Sequence, residues 1–165
     1  MEVQGRVRDQ KYHAGASHLV KRNKVGLSVS NPPHVKTNIQ TPCIPVGKQT
    51  LYFFPDKVLV FEKNSVGAVS YENLSIQIEA SRFIEDGGVP SDAKVIDHTW
   101  RYVNKKGGPD KRFKDNQQIP VVLYEQVHFA SGTGLNERIQ LSCTGTASAF
   151  WKAIQKVTGV HSAYG

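Results

Sequence analysis

The residues with the clearest chemical content lie in one short segment, 104–116. Five cationic side chains and one aromatic ring surround Gly107-Gly108-Pro109, and a further arginine lies just upstream. Lysines add diffuse positive charge, arginine binds phosphate through two parallel hydrogen bonds, and an aromatic ring stacks on bases. Glycines let backbone N–H groups approach an anion. We therefore expect a binding site for an anionic partner, such as nucleic acid, made of Arg101, Lys105, Lys106, Lys111, Arg112, Phe113 and Lys114.

The same segment has a plainer interpretation, in which it is basic only because it is exposed. Asp110 and Asp115 then pair with Lys111 and Arg112, and Phe113 folds back onto the body of the protein. A second group of cations near the N-terminus either adds to the positive field or forms a solvated surface. That group consists of Arg6, Arg8, Lys11, Lys21, Arg22 and Lys24.

Catalytic sequence patterns are absent. The chain has no Gly-x-Ser-x-Gly, no P-loop, no dinucleotide glycine fingerprint and no His-Glu-x-x-His. Asp97 and His98 near Arg101 are the best acid–base candidates. A histidine in an alternating strand, however, is more often a plain packed or surface residue than a catalytic base. Glu85-Asp86 is more typical of a solvated acidic turn than of a cation site. We therefore expect no catalytic residue, no metal and no cofactor. An enzyme whose site is built on Asp97, His98 and Arg101 is kept as a hypothesis behind the two binding functions given below.

Length and composition indicate one ordinary folded domain. The 165 residues carry 21 Lys+Arg against 14 Asp+Glu, a formal charge of +7, and 39% are hydrophobic. These values exclude a disordered, collagen-like or disulfide-scaffold protein. Cys43 and Cys143 show no metal-type spacing, and a disulfide between them is one alternative. Each lies beside β-type sequence, where a free cysteine usually packs as a small hydrophobic residue, so we expect free, packed cysteines. Without a signal-peptide pattern or an apolar run of membrane length, we expect a cytoplasmic protein with no membrane span.

The chain divides by composition into two parts. Residues 1–48 hold a predicted basic helix over 9–23 and a Pro-rich extended connection, with one short strand near 36–40. Pro42 and Pro45 argue against a helix and against a central strand in this connection. Residues 49–165 are predicted to form a β-rich domain with one terminal helix.

Alternating apolar residues predict about seven antiparallel strands in the second part. They cover 49–54, 57–62, 66–71, 74–79, 95–103, 119–130 and 138–143. The apolar spacing of Ala147, Phe150, Trp151, Ile154 and Val157 predicts a helix that Gly159 ends and that Thr144 or Thr146 begins as N-cap. The fold class is α+β, mostly β: a strongly twisted antiparallel sheet or small barrel capped by this helix.

The order of seven strands followed by one amphipathic helix resembles the pleckstrin-homology-like (PH-like) superfold. The segments 51–60 and 67–74 are similar to the opening hairpins of its bacterial members, and 50–56, 98–104 and 107–113 resemble uncharacterised bacterial domains. This resemblance covers residues 49–158, includes no diagnostic motif, and implies a fold without a function.

These observations favour a non-enzymatic binding module that presents the loop 104–116 to an anionic or phosphate-bearing partner, alone or within a longer protein. The alternative is a protein-interaction or self-association domain that uses a strand edge or the terminal helix. Salt dependence separates the two, because phosphate contacts release counterions. The sequence fixes neither the ligand nor the oligomeric state.

Overall fold

The computed structural model describes residues 26–159 in full, together with the backbone of two short strands, 4–6 and 18–20. These strands, β1 (Gln4–Arg6) and β2 (His18–Val20), pair antiparallel. The helix predicted over 9–23 is therefore not confirmed: three of its residues form a strand, and the others lie outside the described residues.

Five antiparallel strands in chain order form the first large sheet. They are β3 (Ser28–Val29), β4 (Pro42–Val46), β5 (Gln49–Phe53), β6 (Lys57–Glu62) and β7 (Ser65–Ser70). The prediction of a strand near 36–40 is wrong, because the strand lies at 42–46 despite its two prolines. Pro42 begins the strand, and β3 pairs only with Pro42 and Cys43. Pro45 is exposed and has no pairing partner on β3. Its missing N–H therefore removes no hydrogen bond between β3 and β4.

The second sheet is built around one long strand. A 3₁₀ turn (Tyr71–Asn73) leads into β8 (Leu74–Ile84), followed by β9 (Lys94–Trp100), β10 (Gln118–Ser131) and β11 (Asn136–Leu141). One side of β10 pairs with β8. Its other side pairs with β9 in the first half and with β11 in the second. The connection from β9 to β10 therefore extends from the end of a hairpin. This connection contains the basic segment, residues 104–116.

The hydrophobic core lies where the two sheets meet the terminal helix α1 (Thr146–Thr158). Leu51 and Val58 of the first sheet and Phe129 of the second are at most 2% exposed. Phe150 of α1 packs edge-on against Phe53, with ring centroids 5.0 Å apart. Burial of such side chains contributes roughly 1.5–3 kcal/mol each.

The predicted helix is present and ends at Gly159, which has a left-handed φ of 69°. The predicted threonine N-cap is wrong. Gly145 occupies the cap position, and no side chain of its own is available to accept a hydrogen bond. The carboxylate of Glu125 on β10 accepts the Ala147 N–H instead, at 2.9 Å.

A mostly β architecture with antiparallel sheets and one C-terminal helix is confirmed, with 48% of the described residues in strands. The sheets are not closed into a barrel. The count of seven strands is not confirmed for the fold as a whole, because the described residues contain eleven: seven follow residue 48, and four precede it, three of these only two or three residues long. No helix in the described part of the chain is long and apolar enough to cross a bilayer.

Candidate functional site

The basic segment lies at the tip of the β9–β10 hairpin, within residues 101–117, which we call the basic loop. Its two arms continue the hairpin by backbone hydrogen bonds. Arg101 N–H donates to the carbonyl of Gln117 at 2.9 Å, and Asp110 N–H donates to that of Tyr102 at 3.0 Å. Val103 and Pro109 form an isolated bridge between them. The loop thus has a defined backbone, although it contributes little to the core.

One asparagine organises the glycine-containing turn. Asn104 Oδ1 accepts the backbone N–H groups of Lys106 and Gly108 at 2.8 and 3.2 Å, and its Nδ2 donates to the Pro109 carbonyl at 3.1 Å. The Gly107 N–H donates to the Asn104 carbonyl, and a φ of 83° explains the glycine at that position. Both glycine N–H groups therefore bond within the loop. The expectation that they would face an anion is wrong.

A second asparagine and an aromatic pair fix the base of the loop. Asn116 accepts from the Tyr102 N–H at 3.0 Å and donates to its carbonyl at 2.7 Å. The Phe113 ring stacks on Tyr102 with centroids 3.9 Å apart and an interplanar angle of 13°. Phe113 is half-buried. As in the plainer interpretation, this ring packs on the protein itself.

Both arginines hold carboxylates of their own chain. Arg112 Nε donates to Asp110 Oδ1 at 2.9 Å, and Asp110 is only 4% exposed. Arg101 forms an ion pair with Asp86, and this hydrogen-bonded carboxylate raises the pKa of the Arg101 guanidinium. The two arginines therefore brace the loop through ion pairs.

The four lysines of the loop are different. Lys105, Lys106, Lys111 and Lys114 are exposed, and no carboxylate of the described residues lies within 4.0 Å of any of them. The pairing predicted for Lys111 is not found, and Asp115 takes part in none of the ion pairs of the described chain. Since Asp86 and Asp110 offset the arginines, these four ammonium groups dominate the positive field at the hairpin tip.

The acid–base candidates are not brought together. Asp97 accepts the His98 backbone N–H at 2.8 Å and pairs with Arg82 at 3.0 Å, while Arg101 turns to Asp86. His98 is exposed.

The predicted acidic turn also differs from expectation. Glu85 is not solvated: it is 2% exposed and accepts the Tyr124 hydroxyl at 2.7 Å. Cys43 and Cys143 are free thiols. Cys43 is buried, as expected, but Cys143 is exposed, so the expectation that it packs in the core is wrong. Within the described residues, no group of three or more His, Cys, Asp or Glu is placed to hold a metal ion.

Sequence reasoning named Asp86 only as part of an acidic turn, and it missed the part that Asp86, Asn104 and Asn116 take in holding the loop in shape. Asn104 had a usable signal, because asparagine commonly bonds the backbone N–H two residues on, here that of Lys106. Asp86 had none, since its partner Arg101 lies 15 positions away.

Comparison with protein-family models, curated proteins and solved structures finds no match for this chain. The PH-like resemblance and the function of the basic loop therefore stay predictions.

Proposed function

We propose that this protein is a non-enzymatic binding module whose basic loop contacts a phosphate-bearing polymer through Lys105, Lys106, Lys111 and Lys114. The observation that carries the proposal is the combination of four exposed ammonium groups, which make no ion pair among the described residues, with a loop backbone held by Asn104 and Asn116. A fixed backbone lowers the entropy cost of binding, because only side chains lose freedom on contact.

The chemistry of the lysines favours a polymer that carries many phosphates over a single small anion. Lysine is a flexible, strongly hydrated point charge, and several of them track a charged backbone without fixed geometry. Each neutralised phosphate makes the slope of log K against log salt more negative, by about 0.9 on duplex DNA and by about 0.7 on single strands. Four contacts give a slope of roughly −3 to −4.

The roles of the remaining candidates follow from their contacts. Arg101 and Arg112 already bind Asp86 and Asp110, and Phe113 packs on Tyr102. We assign these three residues to loop shape, with the lysines making the contacts to the partner.

The experiment is a salt titration of binding to fluorescent single-stranded and double-stranded oligonucleotides, with anionic liposomes alongside. The test variant replaces Lys105, Lys106, Lys111 and Lys114 by Gln. The control replaces Lys36, Lys48, Lys152 and Lys156 by Gln, which are exposed lysines outside the loop and give the same change in net charge. We expect log-linear weakening with salt for the native chain and the control, and loss of binding for the loop variant. Absence of binding at low salt, or equal loss in both variants, would contradict the proposal.

The proposal extends to the fold and the location. We propose a PH-like fold on the order of the elements in 49–158, where seven strands, β5 to β11, are followed by the single helix α1. Free thiols at Cys43 and Cys143 favour a cytoplasmic location.

A further inference from the structure

Strand β7 is the last strand of the five-stranded sheet, and within the described residues it pairs with β6 alone. Four consecutive residues, from Ser65 to Ala68, are exposed, and Val66 is 60% exposed. None of its six residues is charged and none is proline. Natural sheet edges normally carry charges, proline or a bulge, since an unprotected edge pairs with another chain.

The other edges of the two large sheets have such protection or are too short to pair. Charged residues lie on β8, β9 and β11, namely Glu79, Arg82, Lys94, Asp97, Glu137 and Arg138. The pairing of β9 with β10 also has a register shift at Val121/Val122, typical of a bulge. Strand β3 is two residues long. Among these edges, β7 combines length with the absence of charge.

Opposite charges flank β7 at its two ends. Lys63 lies in the turn before the strand and Glu72 in the 3₁₀ turn after it, both exposed, and neither makes an ion pair within the described chain. When two copies of β7 pair antiparallel about Gly67 or Ala68, Lys63 of each copy comes within one residue of being opposite Glu72 of the other. A parallel pairing would bring like charges together.

We propose that β7 is a self-association edge, at which a second copy of this chain pairs antiparallel and joins two five-stranded sheets into one of ten strands. Gly67 and Ala68 at the centre allow close approach, and the flanking charges select the antiparallel direction. The assembly closes as a dimer because the opposite edge, β3, is too short to continue it. This proposal does not depend on the basic loop.

A six-residue ladder is a small interface, so the dimer requires high concentration. The first experiment is sedimentation equilibrium of the full chain from about 10 µM to about 1 mM in high salt, which screens the lysine charges. The test variant is Ala68→Lys, which places two lysine side chains against each other at the two-fold axis, where pairing would desolvate them and salt screens their repulsion only weakly. The matched control is Ala153→Lys on the exposed face of α1. Circular dichroism verifies that both variants are folded.

We expect the native chain and Ala153→Lys to dimerise and Ala68→Lys to stay monomeric. A native chain that is monomeric throughout overturns the proposal, as does a dimer that Ala68→Lys does not weaken.

The direction of pairing is tested by charge reversal at about 150 mM salt, where ion pairs still act. Lys63→Glu and Glu72→Lys each place like charges at both ends of the dimer, and we expect each to weaken it roughly threefold to tenfold. The double variant restores opposite charges and should dimerise like the native chain. A double variant as weak as the single ones contradicts the antiparallel pairing.

Discussion

The carboxylate of Glu125, in the middle of β10, accepts a hydrogen bond from the backbone N–H of Ala147 at 2.9 Å, and its other oxygen accepts the Ser148 hydroxyl at 3.3 Å. A residue of a strand thus accepts a hydrogen bond from a backbone N–H in the first turn of the helix. In this turn the N–H groups lack partners within the helix, and the helix dipole favours negative charge. The contact joins α1 to the central strand of the second sheet.

Glu125→Ala is expected to destabilise the protein by about 1–3 kcal/mol, because it leaves the buried Ala147 N–H and the half-buried Ser148 hydroxyl without their acceptor. Glu125→Gln keeps one acceptor oxygen and should cost less. Urea unfolding measures both. Equal stability of Glu125→Ala and the native chain would show that this contact does not hold the helix.

The Tyr71 hydroxyl donates to the Phe54 carbonyl at 2.6 Å, and burial, with a smaller contribution from Asp56, raises the pKa of Tyr71. The unfolded chain loses this proton first, near the ordinary tyrosine pKa of about 10. The stabilising contribution is therefore complete below about pH 10 and decreases at higher pH, by about 1.4 kcal/mol per pH unit. We expect the native urea midpoint to fall more steeply than that of Tyr71→Phe between about pH 9 and 11. Parallel profiles would contradict this assignment.

Asn104→Ala removes three hydrogen bonds of the glycine turn without changing charge. Trypsin should then cleave after Lys105 and Lys106 roughly tenfold faster, because local opening becomes easier by about 1.4 kcal/mol. The control is Asn38→Ala, at an exposed position outside the loop. Unchanged cleavage in Asn104→Ala would indicate that this asparagine does not organise the turn.

Asp110→Asn weakens the hold on Arg112 and adds one positive charge to the loop. We expect tighter binding to oligonucleotides at low salt, and a salt slope on duplex DNA that is more negative by about 0.9, the value for one added phosphate contact. Thermal stability should decrease somewhat, because Asp110 is buried. Asp92→Asn, an exposed position with the same charge change, is the control. An identical slope in the two variants would place the partner away from Arg112.

Elements set by local pattern were predictable, and those set by distant partners were not. The apolar spacing of Phe150, Trp151 and Ile154 fixed the terminal helix, whereas its cap on Glu125 joins residues 22 apart. The short β4 contains two prolines that oppose a strand locally, and tertiary pairing overrides them.

The candidate site divides in the same way. The sequence located the basic loop, since charge and glycine are local properties. It did not separate the exposed lysines from Arg101 and Arg112, because their carboxylates, Asp86 and the buried Asp110, are identified only by the folded backbone.

The central claim is that the four loop lysines contact phosphate, and the salt slope of oligonucleotide binding tests it most directly. For the native chain we expect a slope of roughly −3 to −4 on duplex DNA. Successive Lys→Gln replacements at positions 105, 106, 111 and 114 should each make the slope less negative by about 0.9. A slope that stays constant through the four replacements, or binding that is independent of salt, would contradict the account.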